Sequence, residues 1–407
     1  GKPITIGNLW ALRFGNGNAA GSANTLFFTA GLTDAPATIF GATDGLLGSL
    51  QVLPPLSARA PLLPHLQNGL VQTFSAVPTT GPTAGDQNPY GLAFVPSNFK
   101  GQGTLQPGDL LVSDFNNAGT PANPGGLQGL GSTILRITPQ GATSVFFAGP
   151  PGLGLTTALG VLRNGDVLVG SVPTTDGTSA TIQPGALLVL DANGKLLEKI
   201  TDSRLDSPWD LTINDRGATA QVFVANVVSG TVTRIDLKVP RDGKPRVRSE
   251  TVIASGFTSK PNGTALILGP TGLAYDARTD TLYVAATADN TIFAIPDAGR
   301  RRTDAGTGRD LFAGQSDPHL HGPLGLILAP NGDLIVSNGD AVSPDSAQPS
   351  ELVEFTAQGQ FVAEFSVDAN AGGAFGIAAT DDNGQLRFAA VDDNTNTVSV
   401  WHFDTGS

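Results

Sequence analysis

A pair of histidines is the first feature of this sequence that could do chemistry. His319 and His321 lie in the segment DPHLHGP, and residues two apart in an extended chain point to the same side. Because imidazole is a common ligand of zinc and copper, the pair could share one metal ion. The remaining ligands would come from Asp114, Asn338 and Asp392, at or just after the ends of apolar strands. No third ligand stands beside the pair in sequence, so simple loop packing is the alternative.

Four aromatic residues and one carboxylate form a second candidate set. Trp10, Tyr90, Trp209 and Phe375 each begin an apolar strand, and Asp210 directly follows Trp209. Such rings either fill a core or offer a rigid platform to an apolar or sugar ligand. A carboxylate in the same place needs a partner, because burying an unpaired charge is costly. The sequence therefore predicts either a plugged axis or a ligand platform.

The elements that position these residues belong to a repeat. The segment GPLGLILAPNGDLIVSN combines a small-residue entry, a short apolar strand, a Gly/Asn/Asp turn and a second apolar strand. Seven such copies recur at spacings of roughly 50 to 80 residues, which is typical of propeller blades. The copies lie at 8–30, 88–114, 156–171, 207–226, 269–286, 322–338 and 373–390.

The repeat predicts an all-β fold, a single β-propeller over residues 1–407 built from four-stranded antiparallel blades. Seven blades are preferred; the alternative is six, with residues 1–70 packed outside the ring or belonging to something else. The last copy lacks a fourth strand, and the segment KPITIG at 2–7 precedes the first copy. We therefore expect this N-terminal strand to complete the last blade and close the ring.

One segment interrupts the rhythm of the repeat. Residues 45–71 are rich in leucine and proline and stand between strand-like segments. The simpler interpretation is an insertion folded over the side of the first blade. The alternative is an arm that docks a partner protein, because exposed leucine at this density favours a surface to cover it.

Composition narrows the class of function. The net charge is −12, only 14% of the 407 residues are charged and no basic stripe is present, so nucleic-acid binding is not expected. The sequence has no cysteine, which excludes disulfides and thiolate catalysis. No apolar stretch is long enough to span a membrane. Low lysine content with abundant Thr, Ala, Gly and Asn favours an exported bacterial protein, secreted to the periplasm or the extracellular space.

The repeats resemble the NHL and gluconolactonase-like propeller superfamily over nearly the whole chain. That resemblance implies Asn, Asp or Glu residues before the small strand-entry residues, where they would hold a divalent cation. The corresponding positions here are aromatic, hydroxyl-bearing or aliphatic, so a lactonase metal centre of that type is not expected. Residues 8–47 also resemble the closing segment of an uncharacterised family of exported bacterial propellers that often carry a PEP-CTERM sorting signal. That second resemblance implies export and no established activity.

These observations predict a secreted, non-catalytic propeller that binds a protein, a saccharide or another small molecule, or that serves as a scaffold. No cofactor is predicted, apart from a divalent metal in the alternative interpretation. That alternative is a metal-dependent hydrolase or lyase, with His319 and His321 acting with Asp114 or Asn338 on the axial face. A third interpretation is a propeller portion of a larger exported protein. Ligand, oligomeric state and activity are left open by the sequence.

Overall fold

The chain forms two compact units, residues 1–56 and 57–407. The structure, a computed structural model, describes residues 9–14, 25–31, 45–51, 60–241, 243–339, 342, 345–382 and 385–404. In the first unit three antiparallel strands pair in chain order: β1 (Leu9–Phe14), β2 (Thr25–Gly31) and β3 (Gly45–Gln51). No helix in the described ranges has the length and apolar character needed to cross a bilayer.

The second unit is a propeller of six antiparallel four-stranded blades. It begins with a one-turn helix, α1 (Leu63–Leu66), and strand β4 (Leu70–Ser75). Within each blade the strands are given from the axis outward. Blade 1 consists of β5 (Gln87–Phe94), β6 (Leu110–Asn116), β7 (Thr133–Ile137) and β8 (Thr143–Ala148), and blade 2 of β9 (Leu155–Val161), β10 (Val167–Ser171), β11 (Ala186–Leu190) and β12 (Leu196–Ile200). Blade 3 consists of β13 (Pro208–Asp215), β14 (Thr219–Asn226), β15 (Thr231–Lys238) and β16 (Arg246–Ser255), and a hairpin of β17 (Lys260–Pro261) and β18 (Ile267–Leu268) follows it.

The remaining three blades follow in chain order. Blade 4 consists of β19 (Pro270–Asp276), β20 (Thr281–Ala286), β21 (Thr291–Pro296) and β22 (Arg309–Asp310), and blade 5 of β23 (Pro323–Leu328), β24 (Leu334–Asn338), β25 (Glu351–Phe355) and β26 (Phe361–Ser366). Blade 6 contains β27 (Ala374–Asp382), β28 (Gln385–Asp392) and β29 (Thr397–Asp404). A short 3-10 helix, Ser179–Thr181, lies between β10 and β11.

The six blades close into a ring. Each innermost strand packs against the next, and β27 of blade 6 packs against β5 of blade 1. The outermost strand of blade 6 is β4, which runs antiparallel to β29 with Leu70 opposite His402 and Ser75 opposite Thr397. The all-β propeller with four-stranded blades is thus confirmed, with the six blades of the alternative.

Two details of the sequence prediction need correction. Seven blades are not observed, because the first of the seven repeat copies contributes β1 and β2 of the N-terminal unit, while the ring is complete with six. The edge of β29 that we assigned to residues 2–7 is paired with β4 instead. Residues 2–7 themselves lie outside the described residues. Both segments have a strand-like pattern. However, β4 directly precedes the first blade of the ring, next to which blade 6 lies, and so it supplies the fourth strand that blade 6 lacks.

The glycine near the start of the innermost strand in blades 4, 5 and 6 is required by contact with the next blade. A Cβ atom added to Gly376 would lie 2.0 Å from the carbonyl oxygen of Tyr90, and one added to Gly272 would lie 2.3 Å from that of Leu324. Gly325 meets the carbonyl oxygen of Phe375 in the same way, at 2.6 Å. Since these oxygens belong to the backbone, they cannot move aside as a side chain would.

Hydroxyl groups join neighbouring blades at the same level. Ser113 donates to the carbonyl oxygen of Thr156 (2.9 Å), and Ser337 donates to that of Phe375 (2.6 Å). Thr156 donates in turn to Pro208 (2.9 Å). Each bond satisfies a carbonyl that the innermost strand would otherwise bury without a partner. The Thr- and Ser-rich strand ends therefore have a structural role.

The leucine-rich segment is partly integrated into blade 5. The backbone N–H groups of Leu62 and Leu63 donate to the buried carboxylate of Glu354 on β25, at 2.8–2.9 Å. Leu62, Leu63 and Leu66 are no more than 2% exposed, so they are not available to a partner. Within residues 60–71 the exposed apolar side chains are Leu70 and Val71 on β4. The insertion predicted over 45–71 thus comprises β3, α1 and the beginning of β4, and residues 52–59 lie outside the described residues.

The glycine contact gives a first test. We expect Gly376→Ala to lower the free energy of unfolding by about 3 kcal/mol, because the new methyl group forces two backbone segments apart. Gly263→Ala is the matched control: Gly263 has open space around its Cβ position, and we expect a change within about 0.5 kcal/mol. Chemical denaturation of both variants makes the comparison. Equal stabilities would show that the blades can separate without cost.

Candidate functional site

An aromatic layer crosses the propeller axis. Tyr90 stacks on Phe375 and on Phe115, with ring centroids 4.7 Å and 5.0 Å apart. Trp209 packs edge-on against Tyr90 and Phe115 at 5.9 Å and 5.4 Å. We call these four residues the aromatic layer; the rings come from blades 1, 3 and 6. All four are at least nine-tenths buried. Tyr90 and its two neighbours Trp209 and Phe375, which the sequence analysis grouped as candidates at the axis, therefore pack together with Phe115 in one layer.

The fourth ring of the layer was not among the candidates from the sequence. Phe115 comes from β6, the second strand of blade 1, whereas the repeat pattern draws attention to the residues that begin the innermost strands. Every residue of β6 is buried, so its sequence has no polar alternation that would indicate the direction of Phe115. Trp10 lies on β1 of the N-terminal unit, and its side chain is outside the described residues.

Three rings of the aromatic layer, those of Tyr90, Trp209 and Phe375, form the floor of an upper cavity of about 400 Å³, on the side where the innermost strands begin. Its apolar lining consists mainly of Tyr90, Trp209, Phe375, Ile267, Leu268 and Leu324. Its polar side chains are those of Asn88, Asn116, Gln128, Thr264, Thr287 and Asp393. The cavity thus combines a flat aromatic surface with amide, hydroxyl and carboxyl groups.

Asp210 belongs to a different cavity. It lines a lower space of about 450 Å³ that is bounded by the innermost strands beyond the aromatic layer. Its Oδ2 accepts a hydrogen bond from the backbone N–H of Leu273 at 2.8 Å, which joins blade 3 to blade 4. Burial raises the pKa of Asp210 well above its ordinary value. The candidate set of the sequence is therefore divided, with Tyr90, Trp209 and Phe375 on one cavity and Asp210 on the other.

The two histidines have separate surroundings. His319 stacks on Phe361 of the outermost strand of blade 5, with centroids 3.7 Å apart, and its Nδ1 lies 2.9 Å from Asp317. The Nε2 of His321 lies 3.0 Å from the carbonyl oxygen of Pro318 and 3.5 Å from Asp345. Neither ring lines the upper cavity. The amide of Asn338 donates to the carbonyl oxygen of His319, so it has a structural role in the same loop.

The carboxylates of the metal candidate set lie on other blades. Asp114 is on β6 of blade 1, and Asp392 ends β28 of blade 6. Across the described residues, no three histidine, aspartate or glutamate side chains are grouped so as to hold a metal ion. The five predicted ligands are therefore distributed over three blades.

An acidic cluster lies where blade 6 meets blade 1 and consists of Asp86, Asp114, Asp392 and Asp393. Asp114 is completely buried, and neither of its carboxylate oxygens has a hydrogen-bond partner. Burial raises its pKa well above the ordinary value, and the charges of Asp86 and Asp393 raise it further. Burial, followed by the charge of Asp392, raises the pKa of Asp393 to about 7.

The rest of the cluster is better satisfied. Oδ2 of Asp86 accepts hydrogen bonds from the backbone N–H of Ser132 and the hydroxyl of Thr133, at 2.8 and 3.0 Å. Oδ2 of Asp392 accepts one from Thr395 at 2.5 Å, while its Oδ1 has no partner. The ion pairs of the described residues involve other carboxylates. The cluster therefore concentrates carboxyl groups without a compensating basic side chain.

Comparison with known proteins defines a fold class only. No protein-family model matches the chain, and no curated protein matches it significantly. Similar solved structures include a streptogramin B lyase, with 13% identity, a TM-score of 0.44 and coverage of 83% of this chain and 88% of that one. A gluconolactonase from Xanthomonas campestris has 16% identity and a TM-score of 0.48, with coverage of 82% of this chain and 89% of that one. Regucalcin, a calcium-binding protein from Agrobacterium tumefaciens, has 13% identity and a TM-score of 0.45, with coverage of 78% of this chain and 90% of that one.

Identities and TM-scores of this size assign no family and no activity to the chain. The class defined at this point, a six-bladed β-propeller, rests on the strand order of the structure itself. The resemblance of residues 8–47 to exported PEP-CTERM-associated propellers stays a prediction.

The raised pKa of Asp393 predicts a pH dependence of stability. Because the folded protein holds this proton more tightly than the unfolded chain, the contribution of Asp393 to stability is greatest below about pH 4 and is lost as the pH rises through about 7. We expect the contribution of Asp393 to the free energy of unfolding to decrease by up to a few kcal/mol over this range. The measurement is made with a chelator present, so that metal ions from solution do not affect the carboxyl groups. Asp393→Asn should reduce the slope, whereas Asp297→Asn, at an exposed turn, should not. Identical slopes for Asp393→Asn and the wild type would contradict the assignment.

Proposed function

We propose that the protein is a non-catalytic ligand-binding propeller whose upper cavity takes a small polyhydroxylated ring such as a monosaccharide. The observation that carries the proposal is the closed aromatic layer under a cavity with polar walls. The apolar face of a sugar ring packs on aromatic side chains, while its hydroxyl groups need hydrogen-bond partners at the edge. Secretion, predicted from composition, is part of the same proposal.

The polar walls provide both donors and acceptors. Nδ2 of Asn88 donates to Oδ1 of Asn116 at 3.1 Å, while Oδ1 of Asn88 is buried and has no hydrogen-bond partner. Asp393 adds a carboxyl group at the rim. The indole N–H of Trp209 is also buried without a partner in the structure. Gln128, Thr264 and Thr287 also line the cavity, and their amide and hydroxyl groups can both donate to and accept from a polar ligand.

The cavity favours binding over catalysis. Among the described residues its titratable side chains are Tyr90 and Asp393, and burial raises the pKa of Tyr90 above its ordinary range, so the phenol stays neutral. The metal-dependent hydrolase or lyase requires His319 and His321 at the cavity, and they do not line it. The cavity volume of about 400 Å³ falls in the range of small-molecule sites.

Phe375 offers a direct test, since it is the most exposed ring of the aromatic layer at 9%. A panel of neutral monosaccharides is screened by saturation-transfer NMR, and binders are measured by calorimetry. We expect Phe375→Leu to weaken binding by about tenfold, because it keeps an apolar side chain but removes the stacking face.

Phe312→Leu is the matched control, because Phe312 packs edge-on against Phe355 in blade 5 and does not line the cavity. It should leave the affinity unchanged. The proposal is wrong if no sugar in the panel saturates at millimolar concentration, or if both variants bind equally well.

A further inference from the structure

Asp114 presents a problem that the fold does not solve internally. Its side chain is completely buried, and both carboxylate oxygens lack hydrogen-bond partners. A buried carboxylate in that condition is strongly unfavourable unless a proton or a cation accompanies it. By contrast, buried Asp210 accepts a backbone N–H, and buried Glu354 accepts the N–H groups of Leu62 and Leu63. The structure therefore partners its other buried carboxylates and leaves this one open.

The segment opposite Asp114 in blade 1 carries a second unpartnered oxygen. The register of blade 1 places Pro89 opposite Asp114, and the two neighbours of Pro89 in the chain, Asn88 and Tyr90, line the upper cavity. Oδ1 of Asn88 is buried and has no partner. The backbone N–H of Asn88 donates to Oδ1 of Asn396 at 2.8 Å, which fixes it against the turn of blade 6. That same turn carries Asp393.

The ionisable side chains around Asp114 are carboxyl groups. The charges of Asp86 and Asp393 raise the pKa of Asp114, and the charge of Asp392 raises the pKa of Asp393. The uncharged phenol of Tyr90 faces Asp393 from blade 1. The described residues show no ion pair between the acidic cluster and a lysine, arginine or histidine. Such a field attracts a cation from solution.

We propose that Asp114 and Asp393, together with Oδ1 of Asn88, hold one hard divalent cation between blade 6 and blade 1. Two carboxylates balance a charge of +2, and an amide oxygen adds a neutral ligand. Oxygen ligands without histidine or cysteine suit Ca²⁺, which accepts irregular sets of carboxylate, amide, carbonyl and water oxygens. Zinc, which prefers imidazole and thiolate, does not suit this set.

The position gives the cation a structural role. Blade 6 is the blade that closes the ring, because its outermost strand β4 comes from the beginning of the unit. A cation bound by Asp114 of blade 1 and Asp393 of blade 6 would join the last blade to the first across this junction. It therefore stabilises the closed ring against local opening. The proposal does not depend on the saccharide, since its readout is the metal alone.

The experiment measures the melting temperature and the heat of binding for protein freed of metal with a chelator and then titrated with CaCl₂, MgCl₂ or ZnCl₂. We expect saturating Ca²⁺ to raise the melting temperature of the wild type by about 4 °C. Asp114→Asn, which keeps the shape of the side chain but removes its charge, should abolish that rise. Asp210→Asn, at the buried carboxylate of the lower cavity, should keep it.

A second measurement separates loss of the site from loss of folding. In the chelator, Asp114→Asn should melt at or above the wild-type temperature, because it removes a buried carboxyl group that has no partner. A response to Mg²⁺ as well as Ca²⁺ supports a hard-cation site. The inference is overturned if neither ion binds, if only Zn²⁺ does, or if Asp114→Asn retains the full Ca²⁺ response.

Discussion

Contact between neighbouring innermost strands is the constraint on which the rest of the propeller depends. At Gly272, Gly325 and Gly376 the backbone of one blade lies directly against a carbonyl oxygen of the next, and no side chain fits between them. Hydroxyl groups such as those of Ser113 and Ser337 then satisfy carbonyls in the same ring of contacts. Six blades meet in this way with an axis narrow enough for side chains to cross it.

The aromatic layer follows from that narrow axis. The residue before each strand-entry position extends towards the centre, so Tyr90, Trp209 and Phe375 meet there and pack with Phe115. Their contact separates the upper cavity from the lower one. Amide and carboxyl groups are then confined to the walls, because the centre is already filled. The same packing that stabilises the ring therefore gives the upper cavity its floor.

Much of the fold could be predicted from the sequence because the repeat is periodic. The apolar second strands of the six repeat copies in the ring lie where the repeat places them. The closing strand was misassigned because LVQTFS at 70–75 and KPITIG at 2–7 have similar strand patterns, and only the pairing with β29 distinguishes them. Blade 4 ends in a strand of two residues, Arg309–Asp310, which is too short to show a pattern.

The candidate site was less predictable because it depends on partners that are distant in sequence. Tyr90, Trp209 and Phe375 were grouped by their shared position in the repeat, and their rings pack together in the structure. Their role as a ligand platform stays a prediction. Asp114 was predicted as a candidate metal ligand at a strand end, but its lack of hydrogen-bond partners depends on the packing of blade 1 and could not be predicted from the sequence. His319 and His321 are only two residues apart in sequence. In the structure the ring of His319 stacks on Phe361, while that of His321 lies near Asp345, so the two rings have separate surroundings.

The attachment of α1 to blade 5 has a mechanical consequence. Glu354 holds the backbone of Leu62 and Leu63 a few residues before β4 begins, and the side chains of Leu62, Leu63 and Leu66 are buried around that point. Tension applied to the chain upstream of residue 60 reaches this attachment first. The hydrogen bonds between β4 and β29 lie beyond it and are relieved of the pull. The ring can therefore stay closed while the segment in front of it is under strain.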